Sequence, residues 1–203
     1  MINKGYFILF LFLLLQGCAT ASGDIFPLVK NQIFGYPEPK ITSNDISESK
    51  FSFMILKVGR GPYVRLILNS YKDETFEWIS ANNEKIYTYK GIIVKTLNFE
   101  NDFEIQNYDQ FNPSIKGNQS FVINFYNPKL IGANININVS PSSLTKNNEI
   151  FGLTSEYKFE KAIESIGWET KNSFWLDRDL IAVESQQYIH PFVPKIKYVI
   201  YLK

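Results

Sequence analysis

The chain has one cysteine and one histidine in 203 residues. A lone cysteine has no partner within the chain, so internal disulfides do not hold the fold. One histidine and one cysteine also leave no ligand set for structural zinc, and no carboxylate run has calcium-loop spacing, so no metal site is expected. Nucleophilic catalysis lacks its usual signatures, because His190 stands before Pro191 with no G-x-S-x-G elbow to accompany it. An excess of one charge is missing as well. The 21 basic residues nearly match the 20 acidic ones, which argues against a nucleic-acid partner and does not favour an acidic polysaccharide. No repeat of solenoid or propeller period appears. What the chain does have is 45% hydrophobic and 16% aromatic residues, enough to build a core in one domain without cross-links.

The N-terminus is organised for export. Lys4 precedes an apolar run from Tyr6 to Leu15, then Gln16, Gly17 and Cys18. A helix of about ten residues rises about 15 Å, half of a bilayer's hydrocarbon core, so the run reads as a removable signal rather than a membrane span. Leu15-Gln16-Gly17-Cys18 resembles the bacterial lipobox. That resemblance implies cleavage after residue 17, a diacylglycerol on the Cys18 thiol and a further acyl chain on its amine. No other cofactor is expected. Two or three chains hold a protein firmly to a membrane, where one does not. Ala19, in place of the aspartate common in lipoproteins kept at the inner membrane, implies outer-membrane anchoring on the periplasmic face. Residues 18–23 then read as a lipidated tether and 24–203 as one β-rich periplasmic domain.

Asp24 can cap a short helix through Ile33, and Thr42 with Asp45 can cap a second one ending near Glu48 or Lys50. From Phe51 onward the pattern is that of strands. Phe51–Val58, Tyr63–Asn69, Thr75–Ser80, Lys85–Tyr89 and Ile92–Phe99 are β-branched or aromatic runs with short polar connections, which predicts an antiparallel meander of five strands. Residues 100–120 read as a polar loop. Strands resume at Phe121–Tyr126 and Asn134–Ser140, where Ile135, Ile137 and Val139 alternate with Asn134, Asn136 and Asn138. Ile150–Ile166, Phe174–Asp177, Ile181–Gln187 and Lys195–Leu202 complete the set, with strand and helix inseparable around Glu160–Ile166. Some ten strands and two short N-terminal helices predict a mainly β fold, a large antiparallel or mixed sheet curled into a barrel or half-barrel.

Several segments, in order, are similar to one family. They are Val64-Arg65-Leu66-Ile67-Leu68, Phe76-Glu77-Trp78-Ile79-Ser80, Ile86-Tyr87-Thr88 and Gly91-Ile92-Ile93-Val94-Lys95-Thr96. Near the C-terminus come Phe174-Trp175-Leu176-Asp177, Glu184-Ser185-Gln186-Gln187-Tyr188-Ile189-His190-Pro191 and a last strand ending Tyr201-Leu202-Lys203. With the lipobox, Ile33-Phe34-Gly35 and Ile41-Thr42, the chain resembles the group 4 capsule polysaccharide lipoproteins. The resemblance implies a half-barrel sheet and a role in assembly or export of capsule or exopolysaccharide.

Three functional classes follow. The first is a non-enzymatic accessory that binds glycan or an export protein, for which Trp78, Trp168 and Trp175 could present flat faces to sugar rings or a partner. Packing within a sheet is the competing use of the same rings. The second is a polysaccharide hydrolase using Asp177, Asp179 or Glu184, although Asp177-Arg178-Asp179 also reads as a solvated turn. The third is a carrier of lipid or lipoprotein in the half-barrel cleft. A glycan binder needs aromatics with polar neighbours, a hydrolase two facing carboxylates, and a carrier a deep uncharged pocket.

Overall fold

The fold is a computed structural model that describes residues 35–203. Leu15, Gln16, Gly17, Cys18, the tether and the helix expected over Asp24–Ile33 lie outside those residues. Residues 38–59 and 63–203 form one compact unit, which contains one short helix, α1 (Ser43–Glu48), and twelve strands. These are β1 (Phe53–Val58), β2 (Tyr63–Lys72), β3 (Thr75–Ile79), β4 (Lys85–Tyr89), β5 (Ile92–Leu97), β6 (Phe103–Gln106), β7 (Gly117–Tyr126), β8 (Lys129–Asn148), β9 (Gly152–Ile163), β10 (Trp168–Leu176), β11 (Ala182–Gln187) and β12 (Ile196–Tyr201).

Helix α1 forms where the capping box demands. Asp45 N donates to Thr42 Oγ1 at 3.2 Å, and Thr42 N donates to Asp45 Oδ2 at 2.7 Å, so two orphan donors of the first turn are satisfied reciprocally. The expected five-strand meander is present, and every neighbouring pair of strands is antiparallel. The sheet is not a half-barrel and not mixed. β1 pairs with both β2 and β12, from Phe53↔Tyr201 to Val58↔Ile196, and the twelve strands close into a barrel. Closure joins the first and last strands, a contact too remote in sequence for any local pattern to signal.

The loop expected over residues 100–120 is also corrected. It contains β6, a 3₁₀ turn at Tyr108–Gln110 and the start of β7. Phe103, Ile105 and Phe111 from this stretch are buried. Their in-facing pattern was hidden among Asn, Asp and Gln.

The strands alternate as a water-facing barrel requires. Met54, Leu56, Leu66, Trp78, Ile86, Ile135, Ile137, Phe159, Phe174 and Tyr198 fill the interior, while Lys57, Arg65, Glu160 and Lys197 face outward. A bilayer-spanning barrel has the opposite arrangement, apolar outside and polar within.

The wall is weakest between β5 and β6, whose ladder rests on the single pair Lys95↔Glu104. There Lys95 Nζ donates to Glu104 Oε1 at 2.8 Å, and Phe103 N to Thr96 Oγ1 at 3.2 Å. A register shift between Tyr87 and Thr88 of β4 further loosens the pairing of β5. Gln187 of β11 compensates from the opposite side of the lumen. Its Oε1 accepts from Ile93 N at 3.0 Å, and its Nε2 donates to Gly91 O at 3.3 Å. Tyr198 OH donates to the same carbonyl at 3.1 Å. Replacing Gln187 with leucine would leave a buried N–H without its acceptor, at a cost of about 1–3 kcal/mol. The expected result is a urea midpoint lowered accordingly, with the spectrum of a folded β protein retained.

Candidate functional site

The sequence-selected aromatics have different fates. Trp78 is fully buried in the core, stacked on Phe76 with centroids 5.7 Å apart, and its Nε1 donates to Thr88 Oγ1 at 3.0 Å. Trp168 packs on the core from the end of β10, its ring edge-on to Phe125 at 6.3 Å. Trp175 faces the other way, onto the outer wall. There it is only 6% exposed, because Lys146 Nζ lies over its ring, 3.8 Å from the centroid.

The polar candidates are separated too. His190 is buried in a turn, where its Nδ1 accepts from Phe192 N at 3.1 Å and its ring meets Phe125 edge-on at 4.5 Å. Burial holds its pKa below the usual imidazole value. Asp177 is engaged locally, Oδ1 accepting from Asp179 N at 3.0 Å and Ile181 N at 2.9 Å. This is a turn-forming carboxylate. Glu184 instead accepts twice from Lys146 Nζ, at 3.1 and 2.9 Å. Among the described residues no group of three or more His, Cys, Asp or Glu side chains could hold a metal ion.

Lys146 comes from an arm that β8 and β9 form beyond an irregularity between Pro141 and Thr145, where Thr145–Asn148 pairs with Gly152–Ser155. The arm lies on the outer wall. Its tip residues Ile150 and Phe151 join a second apolar cluster with Phe53, Ile55, Tyr201, Ile41 and Ile46. Phe151 packs on Tyr201 with ring centroids 5.5 Å apart. Under the arm, Glu156 stands opposite Trp175 in register, and its buried Oε2 has no hydrogen-bond partner among the described residues. An unmet buried acceptor of this kind calls for a donor.

Beside the arm is a hollow of about 90 Å³ on the outer face of β11, β12, β1 and β2, bordered by Glu38, Tyr63, Glu184, Gln186, Lys197 and Tyr201. Carboxylate, phenol, amide and ammonium converge there. Burial, then the negative fields of Glu38 and Glu184, raises the Tyr201 phenol to about 12. Burial and Glu38 also raise Tyr63. Both phenols therefore stay protonated as hydrogen-bond donors at neutral pH. Tyr63 further carries Lys57 Nζ over its ring at 4.5 Å, a cation–π contact.

Of this wall, the sequence alone pointed only to Trp175 and Glu184. Gln186 and Tyr201 lay in segments that carried the family resemblance but were not singled out, and Lys146, Glu38, Tyr63 and Lys197 carried no motif. These six come from five separate stretches of chain, and only strand order and register bring them together. The lumen itself is packed with side chains, so no deep apolar chamber opens in the described barrel.

Comparison with known proteins agrees with the resemblance. Residues 28–200 match the family described as "Group 4 capsule polysaccharide lipoprotein gfcB, YjbF". Two relatives from Escherichia coli K12 are uncharacterized lipoproteins. YjbF is 26% identical over 85 residues, covering 42% of this chain and 40% of its own length; GfcB is 25% identical over 99 residues, covering 48% and 46%. The matched segments thus span less than half of either relative. The crystal structure of the hypothetical lipoprotein YmcC from Escherichia coli K12 superposes with a TM-score of 0.66 at 18% identity, over 87% of this chain and 94% of that one. At that identity the likeness concerns the fold. On the match over residues 28–200, the chain belongs to the group 4 capsule polysaccharide lipoprotein family.

Proposed function

We propose that the protein is an outer-membrane lipoprotein, anchored through Cys18 on the periplasmic face, that acts without enzymatic chemistry in assembly or export of capsule or exopolysaccharide by holding glycan on its outer wall. The observation that carries the reading is the convergence of Tyr63, Tyr201, Gln186, Lys197, Glu38 and Glu184 around one hollow. Planar amides, phenols and ionised groups are the side chains that exchange hydrogen bonds with sugar hydroxyls.

Hydrolysis finds less support. Glu184 is tied to Lys146 and Asp177 to its own turn, whereas a glycosidase needs one carboxyl held ready as an acid across the scissile bond. Carriage of acyl chains would require a chamber of several hundred Å³, the ordinary size of a ligand pocket.

Two measurements test the proposal. Cys18→Ala is expected to abolish incorporation of labelled palmitate and to move the protein from the outer-membrane to the soluble fraction; tight membrane retention of the variant would refute the anchor. For the wall, calorimetric titration with purified capsular glycan should show binding. Tyr63→Phe and Gln186→Ala, each removing about one hydrogen bond, should weaken it roughly fivefold apiece. No binding by the wild-type protein, or release of new reducing ends on incubation, would overturn the reading.

A further inference from the structure

Overall charge is balanced, yet its distribution on the barrel is not. Antiparallel partners stand directly opposite and share a face of the sheet, so the registers can be followed outward across seven strands. Ser140 of β8 faces Lys158 of β9, which faces Ser173 of β10. Ser173 faces Gln186 of β11, Gln186 faces Lys197 of β12, Lys197 faces Lys57 of β1, and Lys57 faces Tyr63 of β2. Neighbouring strands are about 4.8 Å apart, so these side chains form one continuous row on the outer wall. It contains three lysines, two hydroxyls, an amide and a phenol, and no carboxylate.

Two features make the row unusual. Lys57 and Lys197 are directly opposite each other, an arrangement of like charges that costs stability in a sheet. Lys158 and Lys197 also form no ion pair among the described residues, whereas other wall cations do, Lys146 with Glu184 and Lys171 with Glu160. At the margin of the row Lys195 Nζ lies 5.0 Å from the ring centroid of Tyr188, adding a further cation. The acids nearest along the wall are Glu38 and Glu184 of the hollow, and Glu156 and Glu160 on either side of Lys158 in β9, Glu160 paired with Lys171. Glu184 is already neutralised by Lys146.

We infer that this row binds an anionic polysaccharide, its acid groups meeting Lys57, Lys197 and Lys158 while its hydroxyls meet Gln186, Ser173, Ser140 and Tyr63. The inference rests on the glycan-binding reading above and names the chemical class of that glycan. A polymer that carries both acid groups and hydroxyls matches a row in which ammonium groups are interspersed with uncharged hydrogen-bonding side chains. Anionic lipid headgroups share the charge, but the row itself offers no exposed aliphatic side chain to enter a bilayer. The balanced composition of the whole chain gives no hint of such a partner, because the compensating acids stand beside the row and not within it.

The test uses the full chain bearing Cys18→Ala, so that the lipid does not dominate binding. Its probes are polygalacturonate, neutral dextran, and vesicles of phosphatidylglycerol. The expected result is binding to polygalacturonate but not dextran, weakening steeply as ionic strength rises. The double variant Lys57→Gln/Lys197→Gln should lose about tenfold in affinity. A control, Lys72→Gln/Lys129→Gln, replaces exposed lysines outside the row and should bind as the parent does.

Equal binding to dextran and polygalacturonate, unaffected by the double variant, would overturn the anionic class while leaving the glycan reading intact. Capture by vesicles that the double variant abolishes, with no binding to polygalacturonate, would assign the row to a lipid surface and overturn the inference. Failure to bind capsular glycan in the titration described above would remove both.

Discussion

Replacing Gly91 with valine is expected to cost the barrel about 3–5 kcal/mol, combining backbone strain with overpacking. Gly91 immediately precedes β5 at φ +89°, a left-handed conformation that side chains with a branched Cβ adopt poorly. Space is the second obstacle. A Cβ built there would lie 2.7 Å from Cγ and Cδ2 of Phe174 and 3.1 Å from Cβ of Ala182, and Phe174 is itself fixed by stacking on Tyr157 at 5.5 Å. The carbonyl of Gly91 also receives both Gln187 and Tyr198, so a backbone shift that relieved the clash would break the polar bridge across the lumen. Gly132→Ala supplies the comparison, since Gly132 has φ +72° with nothing within 4 Å of its would-be Cβ. It should lose only about 1 kcal/mol, the strain alone. Urea denaturation of the two variants separates the contributions; similar losses in both would show that Phe174 yields and that the contact is not tight.

The second large effect concerns Lys161. This side chain points into the lumen at 1% exposure, and its Nζ reaches only Gln187 Oε1 at 3.3 Å and Tyr188 O at 3.4 Å. Among the described residues no carboxylate pairs with it. Burial lowers its pKa from 10.5 to about 7. Above about 10.5 the amine is neutral in both folded and unfolded chains and has no effect on the pH dependence. Between 10.5 and 7 the unfolded chain holds a proton that the barrel refuses, so stability falls as the pH is lowered through this window. Below about 7 both states are protonated and the full penalty persists. Its upper bound is on the order of 5 kcal/mol.

Lys161→Met keeps an unbranched side chain of similar length and removes the charge. The variant should therefore be more stable than wild type at pH 7, with the difference shrinking as the pH approaches 10. Stability curves for both proteins at several pH values check this; a difference that stays constant across the window would mean that the ammonium is compensated in the native barrel.

These two sites also show where sequence reading stopped. Gly91 was legible as a break between two apolar runs, because a Lys-Gly pair between β-branched segments signals a tight turn. That the same residue lies against Phe174, more than eighty positions along the chain, was not. Lys161 fell in a stretch where period could not distinguish strand from helix. The structure ends β9 at Ile163 and follows it with a 3₁₀ turn over Glu164–Ile166, closed by Gly167 at φ +61°. A lysine in an alternating strand is expected to face water, and only the inward positions of Phe159 and Ile163 on either side reveal that this one does not.

Strand ends went astray where polar residues sit in paired strands. β8 runs from Lys129 to Asn148, well beyond the Asn-Ile alternation, because ladder hydrogen bonds from β7 and then β9 stabilise Ser, Thr and Asn that have little strand preference of their own.

Local chemistry sufficed for the capping box of α1, for the meander of β1 to β5 and for the mainly β class, since each depends on neighbours within a few residues. Closure of the barrel, the burial of Trp78 and the placing of lysines 57, 158 and 197 in one row were decided by the tertiary structure. Each depends on which distant strands become adjacent and in what register, and a one-residue slip in pairing would turn every one of those side chains to the opposite face.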